Sequence, residues 1–534
     1  MTVNGDGLAG DGPGSEGPGS DGPGSEALGS DGRATDPMGF GGPRRSITIE
    51  HYLALFEPRG VVVAGASGHP GKFGFVALHN ILANGFAGKV WATNRERIEV
   101  LGVQTVAGLD EVPAGEADLL FVCTPASTNP QLLRTAAEKG IRAAFIASAG
   151  FAEAGPQGQR AQDELVELAD RLGMLIVGPN GQGLVSTPSS LCAQIVAPFP
   201  PAGRIAIASQ SGNLLSSFMN YASRAGIGVS RAVSAGNAAQ VGVIDMLEFF
   251  ADDPATDVAL AYVEGVADGR GFYERLRAIT DRIPVVIVKG GASDLGRRAA
   301  ASHTGSLASN DRVFEGMCRQ AGAIRARTVE EAYEVAATLS TQPLPKGPNV
   351  AVVTTAGGWG VVTADAIAAA DLTLMELPDD LRASLDGLLP SRWSRSNPID
   401  LAGGETKDTI PDVLAAVAAH PAVDAVILLG MGIQSNQGEM ERTGRFYPGH
   451  GLDRIVDFHD RQDRRYAQAA AELSSRHGKP ILVASELAAT APDNAAVQGV
   501  ASSGRYCYPS SNRAVVALAH VTRYARWRSA RHGR

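Results

Sequence analysis

The sequence contains few cysteines and no long apolar run. Four of its 534 residues are cysteine, and no two of them form a CxxC pair; they are Cys123, Cys192, Cys318 and Cys507. Because zinc sites and disulfide frameworks need closely spaced cysteines, we expect reduced packing residues and no metal site. No run reaches the roughly 18 apolar residues of a membrane-spanning helix, and no basic-plus-apolar leader is recognisable. These absences predict a cytoplasmic protein without a membrane span.

Positively charged residues are also fewer than negatively charged ones. The 47 Lys and Arg residues are outnumbered by 56 Asp and Glu residues, which leaves a formal net charge of −9. Affinity for phosphate backbones needs a basic surface, so no nucleic-acid partner is expected. A hydrophobic content of 44% with 19% charged residues is typical of a soluble globular protein. The length predicts about two to four domains, since one core cannot serve such a chain.

The order of the predicted elements indicates the fold class. Residues 11–30 are near-repeats of five rich in Gly, Pro and Ser, with almost nothing apolar to bury, so we expect a disordered N-terminal tail. Strands then alternate with helices, which predicts an α/β protein with three Rossmann/flavodoxin-like parallel-sheet domains in series. The expected segments are the tail 1–45, a first domain 46–197, a second domain 198–340, a linker 341–349, a third domain 350–523 and a basic tail 524–534.

The first domain opens with a strand, a glycine-rich loop and a helix. The loop contains Gly65, Ser67 and Gly68, and such a loop at a helix N-terminus can present backbone N–H groups to a phosphate. The next strand runs into Arg95, where an NAD enzyme would carry an acidic residue for the ribose. A basic residue here favours a phosphorylated ribose, which occurs in coenzyme A and in NADP.

Two features of the second domain are ambiguous when taken alone. Ser211, Gly212 and Asn213 open a predicted helix, which indicates either an anion site or ordinary helix capping. Glu264 follows a predicted buried strand, at the sheet edge where ligands usually bind. Its carboxylate is equally compatible with a solvated strand end.

One histidine lies among residues too small to shield its ring. His303 stands between Ser302 and Thr304, downstream of a predicted strand and a Lys-Gly-Gly turn. A neutral imidazole, with a reference pKa of about 6.5, is a competent nucleophile. Small neighbours would let large reactants approach, but a single histidine does not by itself distinguish a catalytic from a structural role.

Nine short motifs, in this order, carry a resemblance to a known family over residues 46–523. They are GAS at 65–67, SAGFAE at 148–153, GPN at 178–180, SQSG at 209–212, GN at 236–237, YVEG at 262–265, ASHTG at 301–305, AGG at 356–358 and SNPIDL at 396–401. The chain resembles the α-type subunit of NDP-forming acyl-CoA synthetases (ADP-forming acetate–CoA ligases) of the succinyl-CoA synthetase superfamily.

The resemblance implies a role for each matched position. His303 would become phosphorylated, and Glu264 would orient and stabilise the phosphohistidine. Ser211, Gly212 and Asn213 would hold the phosphate. The first domain would bind coenzyme A, the second would be the succinyl-CoA-synthetase-like flavodoxin domain, and the third a further flavodoxin-like ligase domain. The coenzyme A residues would be Gly65, Ser67, Gly68, Lys72, Arg95, Thr124, Pro125, Ala149 and Gly150.

The resemblance also implies a reaction and a partner. An acid, CoA and ATP would give acyl-CoA, ADP and phosphate through an acyl phosphate and a phosphohistidine. No stretch of this chain supplies an ATP-grasp fold, so ATP/ADP with Mg would bind to a separate ATP-grasp β subunit. The assembly would be a hetero-oligomer such as α2β2, and the substrate a small carboxylic acid.

Two other functions are compatible with parts of the sequence. A non-catalytic CoA-binding regulatory homologue would keep the first domain, although His303 and Glu264 argue against it. An NADP-dependent reductase would explain the glycine loop and Arg95 but not the second and third domains. Many relatives carry a Cys or Ser at Gly181, an acidic residue at Gln240 and a Pro at Trp359, which leaves the choice of acyl group open.

Overall fold

The computed structural model describes residues 47–196, 198–266, 268–296, 298, 310–401, 403 and 408–532. The predicted disordered tail 1–45 and the predicted nucleophile His303 lie outside the described residues. The described chain forms three large sheets of mainly parallel strands joined by helices. This confirms the predicted α/β class with three parallel-sheet units in series.

The first sheet is fully parallel and has the strand order β2-β1-β5-β6-β7. All five residues of β1 are buried, as expected for a parallel strand covered on both faces. A small antiparallel pair, β3 and β4, lies beside it. The elements are α1 Ile49–Phe56, β1 Gly60–Ala64, α2 Phe73–Ala83, β2 Lys89–Thr93, β3 Glu99–Val100, β4 Val103–Gln104, β5 Leu119–Val122, α3 Asn129–Glu138, β6 Ala143–Ile146, α4 Pro156–Leu172 and β7 Leu175–Val177.

The second sheet has seven strands in the order β14-β13-β12-β10-β11-β8-β9. Its central strands are parallel, whereas β8 pairs antiparallel with both β11 and β9. The elements are β8 Gly183–Ser186, β9 Leu191–Gln194, β10 Ala202–Ser209, α5 Gly212–Ala225, β11 Val229–Ser234, α6 Val243–Asp252, β12 Val258–Val263, α7 Gly269–Thr280, β13 Val285–Lys289, α8 Asp311–Ala321, β14 Ile324–Ala326 and α9 Val329–Thr341.

The antiparallel hairpin β8–β9 differs from the expectation of purely parallel sheets. Its residues fall within the predicted first domain, 46–197, but pair with the second sheet. Both strands are fully buried, and an apolar pattern does not specify which sheet a strand joins. The exact domain boundaries therefore stay predictions.

The third sheet is parallel, with the order β16-β15-β18-β19-β20 and β17 paired to β15. The polar segment 434–466, expected to be an insertion, lies mostly in α13 and α14. The elements are β15 Asn349–Thr354, α10 Gly357–Ala368, β16 Thr373–Leu374, α11 Asp379–Asp386, β17 Ile399–Asp400, α12 Thr409–Ala419, β18 Ala425–Leu429, α13 Ile433–Arg442, α14 Leu452–His477, β19 Ile481–Ala484, α15 Leu487–Thr490, α16 Ala495–Ser502, β20 Cys507–Tyr508 and α17 Ser511–His532.

The last helix corrects the prediction of a solvated basic tail at 524–534. Helix α17 continues to His532, because Tyr524 is buried and Trp527 packs against Gly322. Arg531 forms an ion pair with Asp281 and lies 5.8 Å from the centroid of the Trp527 ring. The predicted tail is therefore helical through residue 532, and it packs through Tyr524, Trp527 and Arg531.

The sheets share their apolar cores. One cluster of buried side chains joins the first and second sheets, and another joins the second and third. All four cysteines are free, and burial raises the pKa of each thiol to about 12. They are therefore unreactive packing residues. Among the described residues, no helix combines the length and apolar content needed to cross a bilayer.

Candidate functional site

The loops that follow four neighbouring strands meet at the carboxyl edge of the first sheet. Gly65 has a φ of +86°, and a Cβ at this position would lie 2.7 Å from Thr124 Cγ2. Asn94 Nδ2 donates to the carbonyl oxygen of Ala66 at 2.9 Å, and Ser148 Oγ donates to the carbonyl oxygen of Thr124 at 2.6 Å. Glycine is required at position 65 because both its conformation and the space exclude a side chain. The fold thus brings the predicted coenzyme A loops together.

This edge has the donors and charges that a phosphorylated ligand needs. Lys72 is the N-cap residue of α2, and its side chain is exposed, as is that of Arg95 on the neighbouring loop. Ser67 Oγ accepts a hydrogen bond from the N–H of His69 at 3.1 Å, which folds the loop into a tight turn. The remaining predicted residues, Gly68, Pro125, Ala149 and Gly150, lie on the same loops. A helix start with two cations near it suits anionic groups.

Glu153 shapes the loop that carries Ala149 and Gly150. Its carboxylate accepts hydrogen bonds from the N–H groups of Gly150 at 2.5 Å and Phe151 at 3.1 Å, and from Asn237 Nδ2 at 2.6 Å. Partial burial acts to raise the pKa of Glu153, but the hydrogen bonds from Asn237, Gly150 and Phe151 outweigh it and hold the pKa below its usual value. Glu153 is therefore an ionised anchor for this loop.

The segment 178–182 links the first sheet to the second. The N–H of Asn180 donates to the carbonyl oxygen of Ser148 at 2.9 Å, and Asn180 Nδ2 lies 3.4 Å from Asn237 Oδ1. Two residues later, Gln182 Nε2 donates to Asn213 Oδ1 at 3.2 Å, in the first turn of α5. One short segment therefore contacts both the coenzyme A loops and the predicted phosphate-binding helix start.

Helix α5 begins in a serine turn at the carboxyl end of β10. The N–H of Ser211 donates to Ser209 Oγ at 3.1 Å, and Ser209 Oγ donates back to the carbonyl oxygen of Ser211 at 2.6 Å. Ser211 is the N-cap, and its hydroxyl accepts from the N–H of Leu214 at 3.4 Å. Gly212 and Asn213 follow as the first helical residues, whose N–H groups have no acceptor within a helix. This geometry can bind an anion.

Glu264 lies on the neighbouring strand end, beside this helix start. The N–H groups of Glu264 and Gly265 both donate to Gln210 Oε1, the latter at 3.3 Å. The Tyr262 hydroxyl hydrogen-bonds the Glu264 carboxylate; burial, the charge of Glu264 and this hydrogen bond raise the pKa of Tyr262 to about 12. A Cβ on Gly290 would lie 3.5 Å from Glu264 Cγ. Glu264 is thus held between the start of α5 and the turn after β13.

The segment that carries His303 leaves the sheet from this same edge. Lys289, at the end of β13, is buried and donates to the carbonyl oxygens of Gly290 at 3.0 Å and Gly291 at 3.4 Å. The chain enters α8 at Asn310, whose Oδ1 accepts from the N–H of Arg312 at 3.0 Å. His303 itself lies outside the described residues, so its predicted proximity to Glu264 and Ser211 stays a prediction.

Sequence reasoning missed three amide and phenol side chains in this region. Gln210 and Tyr262 belong to the recognised motifs SQSG and YVEG. Their positions in the sequence close to Ser211 and Glu264 could have indicated that they contact the site. Gln182 gave no signal, because its hydrogen-bond partner Asn213 lies 31 positions away. Its side chain covers Gly212, where a Cβ would lie 2.2 Å from Gln182 Cδ, and its buried Oε1 has no hydrogen-bond partner among the described residues.

The three departures from the family pattern have different surroundings. A Cβ on Gly181 would lie 2.6 Å from the Phe145 ring. Gln240 accepts from the N–H of Ile176 at 2.7 Å and donates to Asp170 Oδ1 at 2.8 Å, so it ties the second unit to the first. Trp359 packs against the apolar core shared by the second and third sheets. Gln240 and Trp359 thus have packing contacts of their own.

The third sheet repeats the strand–turn–helix arrangement in its own way. Thr354 Oγ1 accepts from the N–H of Ala356 at 3.0 Å and donates to the carbonyl oxygen of Ala356 at 2.8 Å. Helix α10 follows, and a Cβ on Gly357 would lie 2.6 Å from Asp400 Oδ2. A resident carboxylate therefore lies against this helix start.

Three family models match the chain in the order of the three sheets. A CoA binding domain matches residues 59–188, a succinyl-CoA ligase like flavodoxin domain matches residues 202–339, and a ligase-CoA domain matches residues 350–433.

Known proteins match over most of the chain. The chain is 33% identical over 480 residues to the α subunit of acetate–CoA ligase (ADP-forming) I of Pyrococcus furiosus, which covers 89% of this chain and 98% of that subunit. It is 36% identical over 375 residues to acetate–CoA ligase (ADP-forming) I of Archaeoglobus fulgidus, which covers 70% of this chain and 54% of that protein. The solved dinucleotide forming acetyl-coenzyme A synthetase 1 of Ca. Korarchaeum cryptofilum, in complex with phosphate and ADP, matches with a TM-score of 0.76 and 31% identity over 89% of this chain and 97% of that one.

Proposed function

The chain belongs to the family of α subunits of ADP-forming acyl-CoA synthetases, and from that premise we propose that it converts a small carboxylic acid, CoA and ATP to acyl-CoA, ADP and phosphate together with a second, ATP-grasp polypeptide. The continuity between the coenzyme A loops and the start of α5 is the observation that carries this proposal. Segment 178–182 contacts both, through Asn180 and Gln182. An acyl phosphate held at α5 would then lie within reach of a CoA thiol.

Mass balance sets the order of the proposed steps. When the CoA thiolate attacks the acyl carbon of an acyl phosphate, a C–S bond forms, the C–O bond to phosphate breaks and phosphate leaves. The acid must therefore be phosphorylated before CoA attacks, and the phosphoryl group is proposed to pass from ATP to His303, which releases ADP, and from phosphohistidine to the acid carboxylate, which regenerates the imidazole. Transfer of this kind depends on positioning and on charge neutralisation.

The second sheet offers the groups that these transfers need. Ser211, Gly212 and Asn213 supply a hydroxyl and helix N-terminal N–H groups to the phosphoryl oxygens. Glu264 is proposed to accept the N–H of the imidazole nitrogen that does not carry the phosphoryl group, which fixes the tautomer. The hydrogen bonds of Gln210 and Tyr262 to this region support Glu264 as a rigidly held group.

The first sheet is proposed to bind coenzyme A. Gly65, Ser67, Gly68, Thr124, Pro125, Ala149 and Gly150 would surround it, and Lys72 and Arg95 would pair with its phosphates. The exposure of both cations and the convergence of these loops at one edge support this assignment.

The nucleotide is proposed to bind, with Mg²⁺, on the ATP-grasp partner. The chain spans about half of the single-chain Archaeoglobus fulgidus relative, which leaves room there for a further nucleotide-binding part. The relative from Pyrococcus furiosus is named as a subunit, which supports a hetero-oligomer.

The decisive experiment follows phosphate transfer to the chain. The protein is mixed with an ATP-grasp subunit and ATP labelled in the γ-phosphate, and acid-labile label on this chain is measured. Wild type and a control, His450→Ala in the exposed turn before α14, should both be labelled, and His303→Ala should not.

Two results would contradict the proposal. Label retained by His303→Ala would exclude His303 as the carrier. An unlabelled wild type that still binds CoA by calorimetry would indicate the non-catalytic CoA-binding homologue, and binding of NADP without CoA would indicate the reductase.

A further inference from the structure

A cavity lies at the outer edge of the second sheet, beyond β14. Its volume is about 680 Å³, which is in the range of small-ligand pockets. Helix α8 and strand β14 form one side, and the turn after α10 (residues 369–371) and helix α17 of the third unit form the other. None of the residues assigned above to coenzyme A or phosphate lines this cavity.

Four arginines line the cavity, and two of them have no ion pair among the described residues. Arg523 pairs with Asp371 at 3.0 Å, whereas Arg319 and Arg327 are exposed and unpaired in the described part of the chain. The other acidic lining residues are Glu331, which pairs with His520 at 2.8 Å, and Glu315. Positive charge therefore remains in excess around the cavity.

The fourth arginine, Arg325, is buried with unsatisfied donors. Its side chain is only 9% exposed, and its Nη2 donates to Asp311 Oδ1 at 2.8 Å. Its Nη1 is 3.6 Å from Glu315 Oε2, beyond hydrogen-bond distance, and both Nε and Nη1 have no hydrogen-bond acceptor among the described residues. These two nitrogens have almost no accessible surface, so they do not face the cavity, and the guanidinium carbon of Arg325 lies 5.3 Å from the centroid of the Phe314 ring.

The opposite wall of the cavity is apolar and aromatic. Val516, Ala519, Tyr524 and Trp527 of α17 line it, and the Tyr524 and Trp527 rings stack with centroids 6.1 Å apart. Val516 is 41% exposed. The cavity therefore combines an anion-binding side with a side that suits a ring or another apolar group.

We propose that this cavity binds a small phosphorylated organic molecule. Phosphate is favoured over carboxylate because two exposed arginines, Arg319 and Arg327, have donors to offer, and a phosphate group provides three acceptor oxygens and close to two negative charges. Because the walls belong to the second and third units, the ligand would hold these units together. The proposal is independent of the function proposed above.

The test uses AMP and inorganic phosphate as probes, with saturating CoA present so that the coenzyme A loops are occupied. Binding to the full chain is measured by calorimetry. The variant Arg319→Gln/Arg327→Gln changes only exposed side chains. Arg526→Gln is the matched control, an exposed arginine of α17 that does not line the cavity.

Both probes should bind to wild type, with AMP tighter because its ring contacts the apolar wall. The Kd of AMP should rise at least about tenfold in the double variant and stay unchanged in Arg526→Gln. Absence of AMP binding to wild type, or an equal Kd in the double variant, would overturn the proposal.

Discussion

The starts of α5 and α10 have the same local turn but different neighbours. In each, a hydroxyl at the end of a strand, Ser209 or Thr354, accepts from and donates to the backbone two residues later. Ser211 then caps α5 with its own hydroxyl, whereas Ala356 caps α10 without one. Next to α10 lies the carboxylate of Asp400, close to Gly357. Because that position is already negative, an incoming phosphate would be repelled from α10 and accepted at α5.

The difference shows that a strand–turn–helix motif alone does not make a phosphate site. The carboxylate near α5, Glu264, is tied through its backbone to Gln210 and through its side chain to Tyr262. It is thus held at the end of β12, whereas Asp400 lies against the start of α10 itself. The following predictions would break or sharpen this contrast.

The largest effect is expected at His303. His303→Ala should lower kcat by more than about a thousandfold, because no other group would carry the phosphoryl. The Kd for CoA should not change, since the coenzyme A loops lie on the first sheet. Steady-state kinetics with the partner subunit and calorimetry with CoA measure the two effects. Turnover within tenfold of wild type would refute the role of His303.

Glu264→Gln should have the next largest effect. It should lower the yield of phosphohistidine about ten- to a hundredfold, because a neutral amide stabilises the charged ring less. Acid-labile phosphate on the chain is the measurement. Glu274→Gln, on the exposed face of α7, is the matched control and should leave the yield at the wild-type level. An equal yield in Glu264→Gln would remove Glu264 from the mechanism.

Exchanging the caps would test the two helix starts directly. Ser211→Ala should cost about 1 kcal/mol of unfolding free energy and weaken phosphate binding, because the capping hydroxyl is lost. Ala356→Ser should stabilise the protein by up to about 1 kcal/mol without creating a phosphate site, because Asp400 remains. Urea unfolding and phosphate titration measure these effects. Phosphate binding gained by Ala356→Ser would contradict the contrast.

The smallest effect concerns acid stability at the first sheet. The folded-state pKa of Glu153 lies below its ordinary value of about 4.3, so the ionised carboxylate stabilises the fold above that pH. This contribution should be lost as the pH falls through the folded-state pKa. When the pH is lowered below 5, Glu153→Gln should therefore lose less unfolding free energy than wild type does, as measured by urea unfolding across pH. A pH profile identical to wild type would contradict this prediction.

Most of the regular structure could be predicted from the sequence. The strands β6, β12 and β18 can be recognised in the sequence, because parallel strands covered on both faces are nearly continuous apolar runs. The hairpin β8–β9 and the packed end of α17 could not be predicted from the sequence, since each depends on contacts with distant residues. Trp527, for example, is half-buried, and its ring lies where a side chain on Gly322 would be.

The candidate site divides in the same way. Glycine and capping patterns located Gly65, Ser211 and Glu264, because helix starts and strand ends leave local signals. Gln182 could not be identified from the sequence, because its role depends on a hydrogen bond to Asn213 in the first turn of α5.

The sequence by itself determined the family, the alternation of strands and helices and the residue types available for phosphoryl chemistry. These follow from local periodicity and from ordered short motifs. Only the tertiary structure decided that the coenzyme A loops and the start of α5 share one continuous edge, that α10 has a resident carboxylate and that a cavity lined by arginines lies beyond β14. Each depends on the packing of separate sheets, which no local pattern encodes.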